Sequence, residues 1–269
     1  MKCFYHSDLD GWCSGAIIKM IHPQCEMIEI TYGQSIDGIV FESGETIFVV
    51  DFSFPNDIMQ MFNEKHDLVW IDHHKTAIEA IENPGEIEGL RTIGLAGCEL
   101  TWAYLHPAEK YPEIVRLLGR YDVWDKSVPE AWPFQLAAQL NLPDPKEEMF
   151  GWENMLTSDN VEAWIKIGEK LKEYQDKQNS HYAKWQSYEV EFEGLRFVVM
   201  NRMRGSGLFD SVYDESKHDG MLAYMFTGEV WSYSLYGTKE DVDLSEIAKK
   251  YGGGGHKNAC GFQSDIKLV

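Results

Sequence analysis

Short apolar runs alternate with amphipathic stretches throughout the first half of the chain. The apolar runs are rich in β-branched and aromatic residues, and they predict strands at residues 3–5, 27–31, 46–50 and 68–71. Apolar positions at helical spacing predict helices at residues 12–21, 55–65, 76–81, 99–106 and 112–120. Because strands alternate with helices, the pattern predicts an α/β fold in which a mostly parallel N-terminal sheet is flanked by helices.

The pattern changes in the second half. A loop rich in proline and acidic residues at 142–148 precedes residues 161–186, whose length and polar composition predict one long connecting helix. Alternating strand patterns follow at 188–201, 221–226 and 230–237, then a helix at 244–251 and a glycine run at 252–255. We therefore predict an N-terminal domain at 1–158, a helical linker at 159–187 and a small C-terminal α+β domain at 188–269.

The net charge bears on the ligands that the protein can bind. The 269 residues carry a formal charge of −20, with 24 Lys and Arg in total. Long nucleic acids usually bind to basic surfaces that release counterions, and this chain has too few cationic residues for a broad one. A phosphate-containing substrate would therefore be a small one, held at a few points, with metal ions supplying much of the positive field.

Composition also indicates the compartment. No apolar run is long enough to span a membrane, and the polar residues 6–10 lie where a signal peptide would need an apolar stretch. The five cysteines include no C-x-x-C pair, so they are expected to be small buried residues in a reducing compartment. We expect a cytoplasmic protein that does not bind membranes.

Acidic residues and histidines follow three predicted strands and one predicted helix. They are His6, Asp8 and Asp10 after the first strand, Asp51 after the third, Asp72, His73 and His74 after the fourth, and Asp122 and Asp125 after the helix at 112–120. The carboxyl ends of parallel strands meet at one edge of a sheet. We therefore expect the first four of these carboxylates and imidazoles, together with His73, to converge at that edge.

Each of these motifs also has an ordinary structural explanation when taken alone. Asp-His-His and H-x-D-x-D-G can both form turns, and an Asp after a strand is often a helix N-cap. Four such clusters in one chain favour a metal site, because crowded carboxylates repel one another unless cations neutralise them. Imidazole with carboxylate suits Mn²⁺ or another octahedral divalent ion, and the absence of thiolates argues against structural zinc. Paired cations are a standard device for phosphoryl transfer.

The motifs and their order resemble a known family. H-x-D-x-D-G, a strand-end Asp, D-H-H, a later Asp and the segment GGGGHKNACGF are similar to those of the DHH phosphoesterase superfamily. The narrower resemblance is to the DHH/DHHA1 subfamily of nano-RNases, bisphosphate-nucleotide phosphatases and cyclic-dinucleotide hydrolases. It runs from residue 3 to about 263. It implies that residues 1–158 form a DHH catalytic domain and that residues 188–269 form a DHHA1 substrate-binding domain.

The resemblance implies two Mn²⁺ ions, with Mg²⁺ or another divalent ion as the alternative. It assigns His6 and Asp8 to one ion, Asp10, His73 and Asp122 to the other, and Asp51 to both. Asp72 would orient a ligand histidine, and His74 would face the substrate, while a metal-bridging hydroxide would be the nucleophile. Asp125 is a weaker competitor for the role of Asp122.

The glycine-rich segment is implied to bind the substrate. Glycines allow backbone N–H groups to approach an anion, although a glycine run is otherwise typical of a flexible turn. The family often carries an arginine in an S-L-R-S-like stretch, and here the corresponding residues are Ser-Leu-Tyr-Gly at 234–237. Tyr236 could stack on a base, and Arg202 or Arg204 could supply the charge. The implied substrate-binding residues are Gly253, Gly254, Gly255, His256, Arg202, Arg204 and Tyr236.

The implied activity is hydrolysis of short RNA oligonucleotides to 5′-mononucleotides by a manganese-dependent phosphodiesterase. Two alternatives share the same metal site: a phosphatase acting on 3′,5′-bisphosphate nucleotides and a cyclic-dinucleotide phosphodiesterase. A non-catalytic nucleotide sensor is disfavoured because every expected metal position is filled. The expected partners are short oligonucleotides or small nucleotides, not long nucleic acids, and a homodimer is compatible with the sequence. RNA or DNA preference, cleavage polarity and oligomeric state are left open.

Overall fold

The computed structural model describes residues 1–158, 161–203 and 205–269. Within these ranges the chain forms two compact units, Met1–Lys172 and Glu173–Val269. The predicted division at 158/159 and 187/188 stays a prediction, and residues 159 and 160 at the first boundary lie outside the described ranges. No helix in the described part of the chain has the length and apolarity to cross a membrane.

The first unit is built on a parallel sheet, as the alternating pattern predicted. Its strands are β1 (Lys2–His6), β2 (Glu26–Ile30), β3 (Thr46–Val50) and β4 (Asp67–Ile71), paired in parallel in the order β2-β1-β3-β4. Successive side chains enter opposite apolar clusters: Phe4 and Trp70 pack on one face, and Tyr5 and Ile71 on the other. Because both faces are covered, these strands have continuous apolar sequences rather than alternating ones.

The helices of this part of the chain lie close to the predicted positions. They are α1 (Leu9–Ile21), α2 (Asn56–Lys65), α3 (Lys75–Ala80), α4 (Gly97–Leu105), α5 (Glu113–Asp122), α6 (Ala131–Asn141), α7 (Phe150–Thr157) and the long α8 (Glu162–Gln186). The pattern did not predict α6 and α7. Pro133 obscures α6 in the sequence, although proline is tolerated in a first helical turn. Both helices are stabilised by a cluster around Trp152 that also includes α1 and α5.

The C-terminal end of α5 differs from the prediction. The pattern ended this helix at Arg120 and placed Asp122 after it, whereas the helix continues to Asp122. The N–H of Val123 still donates to the carbonyl of Gly119, so the last turn is closed. Asp122 is therefore presented by a helical turn and not by a loop.

The second unit is an α+β domain, as predicted. Its elements are β5 (Tyr188–Phe192), β6 (Leu195–Met200), β7 (Gly220–Phe226), β8 (Trp231–Tyr236), α9 (Ser245–Lys250), β9 (Gly254–His256) and β10 (Ala259–Ser264). The strands form a mixed sheet in the order β5-β6-β7-β8-β10-β9. Part of the glycine run is thus an edge strand that pairs with β10, and not a loop.

Candidate metal centre

The carboxyl ends of three neighbouring strands bring the predicted residues together. His6 is the last residue of β1, Asp51 follows β3 directly, and Asp72 and His73 follow β4. Since β1, β3 and β4 are adjacent and parallel, these side chains lie at one edge of the sheet. The sequence predicted this convergence from the strand ends alone.

The first set of side chains that could hold a metal ion consists of His6, Asp8 and Asp51. Their ligand atoms lie within 4.8 Å of one another. Nδ1 of His6 is 2.8 Å from Oδ2 of Asp8 and 3.9 Å from Oδ2 of Asp51. Asp8 is also the N-cap of α1, where its Oδ1 accepts a hydrogen bond of 2.9 Å from the N–H of Gly11. The cap therefore holds this carboxylate beside the histidine.

The second set consists of Asp10, His73 and Asp122, whose ligand atoms also lie within 4.8 Å of one another. Nε2 of His73 is 3.3 Å from Oδ2 of Asp122 and 3.6 Å from Oδ2 of Asp10. Burial lowers the pKa of His73, which favours the neutral imidazole that binds cations. The imidazole and both carboxylates thus surround one small space.

Asp51 joins the two sets. Its Oδ1 is 3.1 Å from Nε2 of His73, while its Oδ2 faces His6. The side chain is 1% exposed, and the backbone has φ of 53°, a left-handed conformation that is strained for an aspartate. Burial and the neighbouring carboxylates of Asp10 and Asp8 raise the pKa of Asp51 well above its usual range. Backbone strain and charge repulsion of this kind are typical of functional sites.

Unsatisfied oxygens test whether cations fit this site. Among the described residues, both carboxylate oxygens of Asp51 and Oδ2 of Asp122 are buried and accept no hydrogen bond. A buried carboxylate without hydrogen bonds is costly unless a cation compensates it. These buried oxygens and the neighbouring imidazoles therefore fit the ligand chemistry of divalent cations.

The turn after β4 is organised by Asp72. This fully buried carboxylate accepts hydrogen bonds through Oδ1 from the N–H groups of His73, at 2.7 Å, and His74, at 3.1 Å. The same oxygen lies 2.8 Å from Nδ1 of His74. Burial opposes the charged imidazole, but this hydrogen bond and nearby carboxylates outweigh it and raise the pKa of His74 to about 9. Asp72 therefore orients the ring of His74 and holds the backbone N–H of His73, and its predicted role in orienting a ligand histidine stays a prediction.

Two known proteins are similar to this chain in sequence. No protein-family model matches the chain. The chain is 29% identical over 238 residues to uncharacterized protein R106 of Acanthamoeba polyphaga mimivirus, a match that covers 81% of this chain and 53% of that protein. It is 24% identical to oligoribonuclease NrnB of Bacillus subtilis, a match that covers 96% of this chain and 71% of that protein. The chain therefore spans about half the length of the viral relative.

A solved structure supports the fold. The pGpG-specific phosphodiesterase PggH from Vibrio cholerae matches 98% of this chain, and 93% of its own, with a TM-score of 0.53 at 13% identity. The match to the Bacillus relative, the shared fold and the Asp72-His73-His74 turn at the end of β4 all agree with the resemblance seen in the sequence motifs. These likenesses support the resemblance to the DHH phosphoesterase superfamily.

The local contacts of Asp125 place this residue outside the candidate metal centre. Its Oδ1 accepts hydrogen bonds from the N–H and the hydroxyl of Ser127, at 3.0 and 2.6 Å. Its Oδ2 lies 3.7 Å from Nη1 of Arg120. The carboxylate near His73 is that of Asp122, so Asp125 caps a turn instead.

Two features beside the candidate metal centre were not predicted from the sequence. The N–H groups of Gly97 and Cys98 donate to the two carboxylate oxygens of Asp10, at 2.7 and 2.8 Å, so the first turn of α4 holds this ligand. The ring of Tyr32 lies 5.7 Å from that of His6 and is 53% exposed. The strand-end argument could have found Tyr32, which follows β2, whereas nothing in the sequence indicates that the first turn of α4 contacts Asp10.

The predicted substrate-binding residues belong to the second unit. A Cβ at Gly253 would lie 2.1 Å from the carbonyl oxygen of Gly261, so this glycine permits close packing on β10. The guanidinium of Arg202 lies 3.8 Å from the ring centre of Tyr182. Tyr236 packs against an apolar cluster that includes Met221. Arg204 lies outside the described residues. The nucleotide-binding roles of Gly254, Gly255 and His256 stay predictions.

Proposed function

We propose that this chain is a divalent-cation-dependent phosphodiesterase that hydrolyses short RNA oligonucleotides to 5′-mononucleotides. The observation that carries the proposal is the pair of ligand sets joined through Asp51. The match to an oligoribonuclease over 96% of this chain supports RNA as the substrate. The net charge of −20 supports short substrates over long ones.

The ligand assignment follows the two sets. His6 and Asp8 would hold one cation, Asp10, His73 and Asp122 the other, and Asp51 both. Mn²⁺ is the proposed ion because it accepts imidazole and carboxylate together, and Mg²⁺ is the alternative. When bound, such a pair polarises the phosphate and makes water a competent nucleophile at neutral pH.

His74 and Asp72 would act on the substrate as a unit. Asp72 binds Nδ1 of His74, so Nε2 is the ring nitrogen through which His74 would meet the phosphate. The raised pKa of His74 means that the ring carries its proton at neutral pH and can donate a hydrogen bond. Asp72, which is fully buried, would keep the ring in this orientation without touching the substrate.

Two further groups of residues are proposed to contact nucleotide, each within its own unit. In the second unit these are Gly253, Gly254, Gly255, His256, Arg202 and Tyr236. In the first unit the exposed ring of Tyr32, packed 4.8 Å from that of Phe52, would stack on a base next to the cleaved bond. A cytoplasmic location and a homodimer stay predictions from the sequence.

Replacing Tyr32 with Ala is expected to raise KM for a diribonucleotide by about tenfold, because a base stacked on an aromatic ring contributes roughly 1–3 kcal/mol. Tyr32→Phe keeps the ring and should retain the wild-type KM. Steady-state kinetics on both variants make the measurement. Equal KM values for Tyr32→Ala and the wild type would show that no base stacks here.

Product analysis tests the proposed function. Purified protein would be incubated with Mn²⁺, or with chelator, and with RNA and DNA oligonucleotides from dinucleotides to long single strands, adenosine 3′,5′-bisphosphate and a cyclic dinucleotide. We expect chelator-sensitive conversion of the shortest RNAs to 5′-mononucleotides. Activity confined to the bisphosphate or the cyclic compound would refute RNA as the substrate. Binding of nucleotide without turnover would identify a sensor and refute the enzyme.

A further inference from the structure

The buried ion pair of Glu99 and Arg120 lies behind the second ligand set. We propose that this pair is a positioning element for the cation held by Asp10, His73 and Asp122. The inference rests on the proposed cation-binding function and adds two residues that carry no ligand atom themselves. It links the first turn of α4, whose N–H groups hold Asp10, to the last turn of α5, which carries Asp122.

Glu99 fixes the first turn of α4. The residue is 2% exposed, and its Oε2 accepts a hydrogen bond of 3.0 Å from the N–H of Ala96, the N-cap residue of this helix. Ala96 has no side-chain oxygen that could cap the helix. The Glu99 carboxylate therefore supplies the capping interaction, by accepting the hydrogen bond from the backbone N–H of Ala96. The position of the first turn therefore depends on the Glu99 carboxylate.

The first turn of α4 in turn orients two ligands. The N–H groups of Gly97 and Cys98 each donate to one carboxylate oxygen of Asp10. Each oxygen retains a second lone pair that can face a cation. A Cβ at Gly97 would also lie 2.6 Å from Cβ of Asp51, so the same turn packs directly against the bridging carboxylate. A small shift of this turn would move Asp10 and press on Asp51.

Arg120 connects this turn to α5. Its Nη2 donates to Oε2 of Glu99 and lies 3.4 Å from the carbonyl oxygen of Gly94. Arg120 is in the last turn of α5, two positions before the ligand Asp122. A Cβ at Gly119 would lie 2.7 Å from Cδ of Glu99, so α5 approaches the carboxylate closely. The pair thus sets the distance between the turn of α4 that holds Asp10 and the turn of α5 that carries Asp122.

The charges favour a positioning role over a purely stabilising one. Glu99 adds a buried negative charge next to a centre already rich in carboxylates, which is unfavourable for the metal-free protein. An apolar residue could pack in this space, but it would not hold the N–H of Ala96 and the guanidinium of Arg120 in one geometry. Interactions that orient metal ligands from behind typically change metal affinity by about 10- to 100-fold.

Metal titration of three variants tests the proposal. Metal-free protein would be titrated with Mn²⁺ by calorimetry, and the bound ions would be followed by electron paramagnetic resonance. For wild type we expect two bound ions with the spectrum of a coupled pair. For Glu99→Gln we expect one of the two affinities to fall by at least about tenfold while the other is retained. Arg120→Lys keeps the positive charge but lacks the planar guanidinium group. It should show the same selective loss of affinity for one ion, to a smaller degree.

Glu113→Gln is the matched control. Glu113 also forms an ion pair with an arginine, Arg116, but both residues lie on the more exposed side of α5, the helix that carries Arg120. The control variant should bind both ions as the wild type does. Glu99→Gln or Arg120→Lys with a lower Tm but two unchanged affinities would overturn the positioning role. If Glu99→Gln does not fold, Arg120→Lys decides by the same criterion. Failure of the wild type to bind any divalent ion would refute the proposed function itself, and not merely this inference.

Discussion

Asp51→Asn is expected to lower kcat by at least about 10³-fold. Asp51 is the residue that faces both His6 and His73, so its carboxylate would contact both cations. Metal-based charge stabilisation contributes several kcal/mol to such reactions, and each 1.36 kcal/mol corresponds to about tenfold in rate. Asparagine tolerates the left-handed backbone at this position, so the fold should be retained. Single-turnover kinetics with Mn²⁺ measure the loss.

The same substitution should raise the stability of the metal-free protein. Burial and neighbouring carboxylates raise the pKa of Asp51, so the folded state holds a proton that the unfolded state releases near pH 4. Between the unfolded and folded pKa values the folded state binds more protons, and its stability therefore falls as pH rises. Removing the charge should make the Tm of metal-free Asp51→Asn exceed that of the metal-free wild type, by an amount that grows with pH over this range.

Mn²⁺ should reverse that order, because ligand binding stabilises only the protein that can bind it. Thermal unfolding with and without Mn²⁺, at several pH values, makes the comparison. Asp67→Asn is the control, since Asp67 is the exposed first residue of β4, at the end of the strand opposite to the DHH turn. It should match the wild type in both assays. Wild-type activity in Asp51→Asn, or a metal-induced rise in Tm equal to that of the wild type, would show that Asp51 is not a metal ligand.

Gly11→Ala is expected to destabilise the protein by roughly 3 kcal/mol, the upper end for overpacking a tight site. A Cβ at this position would lie 2.3 Å from the carbonyl oxygen of His6 and 2.7 Å from its backbone nitrogen. These are backbone atoms of β1, which is paired on both sides and cannot move at low cost. The final glycine of H-x-D-x-D-G is therefore required where the first turn of α1 crosses the end of β1.

Urea unfolding of the metal-free protein measures this effect without any contribution from cation binding. Gly85→Ala provides the comparison, because Gly85 lies in the exposed turn Pro84–Glu86 and an added Cβ would meet nothing within 4 Å. Its stability should stay within about 0.5 kcal/mol of wild type. Equal stability of Gly11→Ala and Gly85→Ala would mean that the approach of α1 to β1 is looser than the structure indicates.

Much of the centre could be predicted because its residues occupy positions with a local signature. His6, Asp51 and His73 follow apolar runs that end abruptly, and parallel strands bring such ends together whatever the rest of the fold. The prediction for Asp122 was weaker, because a helix end gives no comparable signal. The pattern ended α5 two residues too early, and so it placed this ligand in a loop.

Other features depended on contacts between distant parts of the chain. Asp10 and Gly97 are 87 residues apart, and Glu99 and Arg120 are 21 apart. Neither pair produces a periodic pattern, since periodicity reports only which face of an element is buried. Likewise α6 and α7 are recognisable by the cluster they complete and not by their own sequences.

The amino-acid sequence thus indicated most of the elements, their order and the chemical types of the candidate ligands, because each depends on residues close together in the chain. Tertiary packing decided which helix end holds Asp10, and that the glycine run continues the second sheet as an edge strand. Those outcomes depend on which surfaces meet when the apolar faces are buried together. That choice is a property of the whole packed unit and is not encoded in any single segment.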